Sequence, residues 1–250
     1  NAVLSERIVG DERIRAPVLI AASGPTLERL FPFPDRDAFF FITLSSALKA
    51  VCSRGVTPDL CVTTDGGYWA KHHIAGIGPG VPLAFPLEAA VPSNVLRNNP
   101  LLPLDYGSPL EQKLFSLSGI KGAATEQSGT VAGTAALYAL SRSDREVFAA
   151  GLDLTAGTAR AHCEPHAFDG MIDASSTRTA PLCLNLYERG FSSAALEIYA
   201  RWFSERTGEF ARRFYRINPT GKDLGAIREA DAAMIARAAR IPKDLREKVA

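Results

Sequence analysis

Pro17-Val18-Leu19-Ile20-Ala21-Ala22-Ser23-Gly24-Pro25-Thr26-Leu27 holds an apolar run of strand length that breaks at Ser-Gly-Pro-Thr and passes into a helical pattern through Leu27 and Leu30. A continuous apolar run closed by turn residues is the pattern of a strand buried on both faces, so this segment reads as the first βα unit of the chain. A tight turn of this kind leaves backbone N–H groups at the positive end of a helix, where phosphate binds well. Gly24 permits close backbone approach, Pro25 suits a first helical turn and Thr26 adds a hydroxyl. Neither G-x-G-x-x-G nor G-x-x-x-x-G-K-[ST] occurs, so by itself the turn is equally readable as a structural connection.

Further strand-like runs follow at residues 38–44, 59–64, 81–86, 101–106 and 146–150, with helical patterns at 45–54 and 129–141. That alternation predicts a mostly parallel α/β sheet with helices on both faces, in which ligands sit at the carboxyl ends of the strands. Beyond about residue 175 the pattern changes. Residues 182–193, 196–213 and 231–250 read as helical, with a short strand at 214–218 and a turn at Pro219-Thr220-Gly221. The expected organisation is a nucleotide-binding core over 1–180 and a mostly helical extension over 181–250.

The chain has 250 residues, 46% of them hydrophobic and 22% charged, enough for a sizeable core. A net charge of +1 gives no global field to draw it to nucleic acid. The four cysteines (Cys52, Cys61, Cys163 and Cys183) fall at no zinc or disulfide spacing, which suggests reduced thiols and a cytoplasmic setting. No stretch approaches the ~20 apolar residues of a membrane span. The chain begins with Asn1, which suggests a piece of something longer.

Three more segments lie where strands should end. In Thr43-Leu44-Ser45-Ser46 a strand runs into hydroxyl residues that open a helix, as N-caps or as ligand contacts. In Thr63-Thr64-Asp65-Gly66-Gly67 a carboxylate closes a strand, a common place for Mg²⁺ or a ribose hydroxyl and equally a common turn. In Gly151-Leu152-Asp153-Leu154 a strand ends in Asp153, and a Gly/Thr/Ala loop then delivers His162-Cys163-Glu164-Pro165-His166. Pro165 works against the helical turn that a His-x-x-x-His metal site needs. The chemical alternatives are a general base on this loop, with Asp153 beside it, or two solvated histidines.

Ser23-Gly24-Pro25-Thr26-Leu27, Ser45-Ser46-Ala47-Leu48, Gly55-Val56-Thr57-Pro58-Asp59 with Asp65, Ser128-Gly129-Thr130-Val131-Ala132, Gly151-Leu152-Asp153-Leu154 and Phe214-Tyr215-Arg216-Ile217-Asn218 occur in a particular order. That order resembles the domain shared by the motility-associated-factor flagellin glycosyltransferases and the MptE-like 6-hydroxymethylpterin diphosphokinases, over roughly residues 10–230. The resemblance implies a Rossmann-like, sialyltransferase-like fold with a nucleotide held against Ser23, Gly24, Pro25, Thr26, Ser45, Ser46, Asp65, Ser128, Gly129 and Thr130.

Two activities are implied. The flagellin-modifying members resemble enzymes that move a nonulosonic acid from a CMP-sugar donor to serine or threonine. The archaeal members transfer pyrophosphate from ATP to a pterin alcohol with Mg²⁺. Thr64-Asp65-Gly66-Gly67 lacks the second carboxylate of the Asp-x-Asp-Gly that the kinases carry, which favours glycosyl transfer and leaves Asp65 as the expected Mg²⁺ ligand. Glycosyl transfer asks for a base, expected to be His162 or His166 on a lid over 155–169. A nucleotide- or sugar-binding module without catalysis is the third reading.

Overall fold

The computed structural model describes residues 13–32, 35–155, 162–184, 194–219 and 222–240. Among them nine strands form one sheet: β1 (Val18–Ala21), β2 (Phe40–Leu44), β3 (Leu60–Val62), β4 (Leu83–Pro86), β5 (Leu101–Asp105), β6 (Ala123–Ala124), β7 (Val147–Ala150), β8 (Phe214–Ile217) and β9 (Arg228–Ala230). Their order is β6-β5-β4-β3-β2-β1-β7-β8-β9, and every pairing is parallel. The predicted α/β class and parallel sheet are those observed. β8 and β9 extend the same sheet, which therefore runs across residue 180.

Successive side chains of a strand point to opposite faces, so each fully buried strand feeds two cores. Val18 and Ile20 of β1 join Ile42, Leu44, Val147 and Ala149 on one face; Leu19 and Ala21 join Phe41, Phe148 and Ala150 on the other. The described helices are α1 (Leu48–Ser53), α2 (Lys71–Ile74), α3 (Ser93–Asn98), α4 (Pro109–Ser118), α5 (Val131–Arg142), α6 (Asp169–Ser175), α7 (Ala194–Ser204), α8 (Glu209–Arg213) and α9 (Ala232–Ala238). Ala132, Ala135, Ala136 and Ala139 make one face of α5, and these small side chains let it lie close across β1, β2 and β7. Beside it Phe203 of α7 and Phe210 of α8 pack on Phe214 of β8. On the opposite face Met234 and Ile235 of α9 pack with Tyr215 and Ile217.

Two local expectations change. The segment after β1 is a six-residue 3-10 helix, Pro25–Leu30, in place of an α-helix. Leu27 and Leu30 are three residues apart, which a three-residue turn eclipses on one buried face, and Pro32 follows at once. The helix expected over 196–213 is broken into α7 and α8 at Gly208, whose φ is 60°. The helical stretch expected over 182–193 lies mostly outside the described residues, as do 241–250 of the last one.

The order of strands fixes where a ligand fits. β1 has β2 on one side and β7 on the other, so the chain leaves β1 in one direction, runs to β6, and returns through α5 to pair on the opposite side. A crevice opens at such a switch point, outside the carboxyl ends of the two diverging strands.

Candidate functional site

At that point lies a cleft of about 580 Å³. The loops after β1, β2, β3, β5 and β7 all contribute, through Ser23 and Gly24, Ser46, Thr64 to Gly66, Tyr106, and Gly151 to Thr155. Gly129 to Ala132, at the start of α5, form one wall. His162 stands on the loop that follows β7, and Leu196 and Tyr199 of α7 close the remaining side.

The β1 and β7 turns are tied to each other. Gly24 donates its N–H to the Gly151 carbonyl at 2.8 Å. Thr26 donates its backbone N–H to Asp153 Oδ2 at 2.8 Å and its hydroxyl to Asp153 Oδ1. A Cβ on Gly24 would collide with the Asp153 carboxylate and the Gly151 carbonyl. The expected close approach at Gly24 is real, and the group that approaches it is Asp153. The carboxylate thus occupies the donors of Thr26 that the sequence suggested for phosphate, and Thr26 is itself buried. Asp153 is 2% exposed, with both oxygens engaged, which is the geometry of a positioning group. Burial lowers the pKa of the neighbouring Arg216, against the opposing pull of the Asp153 charge.

The start of α5 is arranged differently. Thr130 is the N-cap in extended backbone, and among the described residues no side chain caps the first-turn N–H groups. Ser128 Oγ is occupied nearby, donating to the Thr130 carbonyl at 2.8 Å and lying 3.2 Å from Thr134 Oγ1. Gly129 has a φ of 74°, which only glycine adopts without strain, and it turns the chain into the helix. The twelve-residue α5 therefore presents first-turn N–H groups, and the positive end of its dipole, to the cleft.

His162 faces this wall. Its Nδ1 lies 3.0 Å from Ser23 Oγ, and the next residue, Cys163, donates its N–H to the Ser23 carbonyl at 2.8 Å. Behind it the His166 ring stacks at 4.4 Å and 21°, and the His73 ring of α2 lies 5.0 Å further on. His166 is 3% exposed, and its Nε2 is buried without a hydrogen-bond partner. Burial lowers the pKa of all three imidazoles, and that of His166, next to two other histidines, falls to about 4. The two loop histidines so separate: His162 reaches the cleft and His166 supports it from behind.

Of the other expected residues, Ser46, Asp65, Gly129 and Thr130 line the cleft, whereas Ser45 is buried beneath it. Pro25 and Ser128 lie just off the lining. Asp65 Oδ1 accepts the Gly67 N–H at 2.8 Å. Asp65, Glu88 and Asp153 all touch the cleft, yet among the described residues no three His, Cys, Asp or Glu side chains are arranged to hold a metal ion. The stretch 156–161 of the expected lid lies outside the described residues.

Tyr106 and Tyr199 were not expected. Tyr106 immediately follows β5, and its hydroxyl, bonded to Thr134, titrates above the usual tyrosine range because of burial. The apolar run ending at Tyr106 was the available signal, since a residue closing a parallel strand faces this edge.

No family model matches the chain. It is 33% identical over 201 residues to an uncharacterized protein of Treponema pallidum (strain Nichols), a match covering 80% of this chain and 44% of that protein. Among solved structures it resembles the MAf glycosyltransferase from Magnetospirillum magneticum AMB-1, with a TM-score of 0.61 and 16% identity over 95% of this chain and 39% of the other. It shares that enzyme's fold. The chain spans less than half the length of either protein. Among the described residues no helix is long and apolar enough to cross a membrane.

Proposed function

We propose that the chain is the donor-binding, catalytic part of a glycosyltransferase of the motility-associated-factor type. One observation carries the reading: the uncapped N-terminus of α5 and His162 face the same switch-point cleft. The donor would be a CMP-activated nonulosonic acid, and flagellin serine or threonine is the acceptor that the resemblance suggests. The fold neighbour, itself a MAf glycosyltransferase, supports the class.

In this reading the donor phosphate rests against the first-turn N–H groups of α5, and Ser46 and Asp65 take the ribose side. An acceptor oxygen attacks the anomeric carbon as the bond from that carbon to the phosphate oxygen breaks, and nucleoside monophosphate departs. Negative charge grows on the phosphate, where fixed N–H dipoles stabilise it without reorganising. His162 takes the acceptor proton at Nε2, which requires the tautomer whose Nδ1–H donates to Ser23 Oγ. Its lowered pKa keeps it neutral at pH 7, as a base must be. Asp153 and Thr26 hold the two turns that carry Ser23 and His162 at a fixed separation.

Thr130→Asp tests this. Aspartate is a good N-cap, and its carboxylate would compete with phosphate for the same N–H groups. The variant should melt no lower than wild type while its affinity for CMP and CMP-sugar, measured by calorimetry, drops at least about tenfold. Unchanged affinity, or wild-type binding of ATP with Mg²⁺ in preference to CMP, would count against the assignment.

A further inference from the structure

Among the described residues, two of the exposed large hydrophobic side chains are adjacent. Tyr68 is 66% exposed and Trp69 56% exposed, in the 3-10 turn Tyr68–Ala70 that follows β3. A single exposed ring is ordinary, but here two lie side by side and each packs on a neighbouring side chain. The Lys71 ammonium sits 3.6 Å from the Tyr68 ring centroid, the His72 ring stacks on Trp69 at 5.4 Å and 29°, and the two aromatic planes meet at 90°. The result is a corner of two rings, each packed by a neighbouring side chain and still largely exposed.

This corner adjoins the cleft. Asp65 and Gly66, cleft residues, lie one glycine before it in the chain, and the Glu88 carbonyl packs against Gly66. Ring contacts run inward from it without a break. His72 touches Phe168 at 6.3 Å, Phe168 touches His73 at 4.8 Å, and His73 leads through His166 to His162.

We infer that Tyr68 and Trp69 form the docking platform of a saccharide acceptor, in place of the serine or threonine that the resemblance suggests; its ring stacks on them while one hydroxyl enters the cleft. The inference rests on the glycosyl-transfer reading for what happens to that hydroxyl. The apolar C–H face of a pyranose matches a flat aromatic ring, and its rim of hydroxyls matches the polar groups beside it: Asp65, Glu88 and His72. A polypeptide is a poorer fit. Extended peptides dock on sheet edges and helices in apolar grooves, whereas β3 lies between β2 and β4, inside the sheet. Because each ring already packs on a neighbour, a ligand gains their contact at reduced conformational cost.

The chain has two tryptophans, Trp69 and Trp202, so protein labelled with 5-fluorotryptophan gives two ¹⁹F signals, assigned by the loss of one in Trp69→Phe. Methyl glycosides of glucose, galactose and N-acetylglucosamine, a Ser/Thr-rich peptide and CMP are titrated separately. At least one methyl glycoside should shift the Trp69 signal and leave Trp202 unmoved. Trp69→Ala and Tyr68→Ala, followed by ligand-observed NMR and shown folded by circular dichroism, should weaken that binding at least tenfold, and Trp69→Tyr should largely retain it. A Trp69 signal that moves only with the peptide, only with CMP or with nothing overturns the platform. Parallel calorimetry with CMP-sugar keeps the two readings apart. Saccharide binding without nucleotide binding sinks the transfer reading and leaves the platform, and the reverse result does the opposite.

Discussion

Asp153, just beyond β7, holds Thr26, just beyond β1, through both of its carboxylate oxygens, and the two residues are 127 positions apart in the chain. The pair closes the base of the cleft. Removing the carboxylate leaves a buried backbone N–H and a buried hydroxyl without partners, each worth about 1–3 kcal/mol. Asp153→Asn and Thr26→Val should each destabilise the protein measurably in urea. The double variant should lose less than the sum, with a coupling above about 1 kcal/mol. Additive losses would show that the bond contributes little.

Gly24 and Gly76 make a contrasting pair. An added Cβ at Gly24 meets the Asp153 carboxylate and the Gly151 carbonyl, whereas at Gly76 it meets nothing within 4 Å. Gly24→Ala should lower the urea midpoint by the equivalent of about 1–3 kcal/mol, as overpacking does. Gly76→Ala should leave the midpoint within about 0.5 kcal/mol. Equal effects at the two sites would mean that the β1 turn gives way easily.

The pH dependence of transfer follows from His162. Burial depresses its pKa below the ordinary histidine value of 6.5, and in the proposed mechanism the neutral form is the base. kcat/KM should therefore stay level from pH 7 downward and decline only on an acid limb centred below 6.5. His162→Gln should reduce the rate by ~10²–10⁴-fold and abolish that limb. A rate that falls on the alkaline side instead would require a protonated histidine and a different mechanism.

His166 adds a pH dependence to stability. Its pKa is about 4 in the folded protein and 6.5 when unfolded, so between these values the unfolded chain binds more protons. Stability should be constant above pH 6.5 and fall progressively as the pH drops toward 4, with His73 and His162 acting in the same direction. The surroundings are mixed, with Asp169 opposing the downward shift and Lys49 reinforcing it. His166→Phe keeps a ring in the stack and should flatten this acid slope in melting experiments. An unchanged slope would place the titration in other residues.

The sheet was largely legible because fully buried parallel strands are continuous apolar runs, and six such runs became β1 to β5 and β7. β6 has two residues and β9 reads Arg-Glu-Ala with two of its three side chains exposed, so neither carries that signal. The cleft was partly legible. Small and hydroxyl residues at strand ends marked Ser23, Ser46 and Thr130, but spacing alone does not reveal that a distant carboxylate fills a turn. The sequence places Asp153 at a strand end, and its bonds to Thr26 are visible only in the structure. The choice between His162 and His166 depended on which way a loop lies over the sheet, a long-range property with no local pattern.

The return of the chain from β6 to β7 also sets when the cleft comes into being. Strands β1 to β6 pair with neighbours close in sequence, but β7 must find β1 across almost the whole intervening chain. Loop closure of that length is slow relative to local pairing. Ser46, Asp65 and Tyr106 stand on the locally paired strands, but the α5 terminus, the Asp153 turn and His162 join them only with that step. During refolding, ligand binding should consequently lag behind the recovery of secondary structure, and partly assembled molecules should be silent, without diminished or altered specificity.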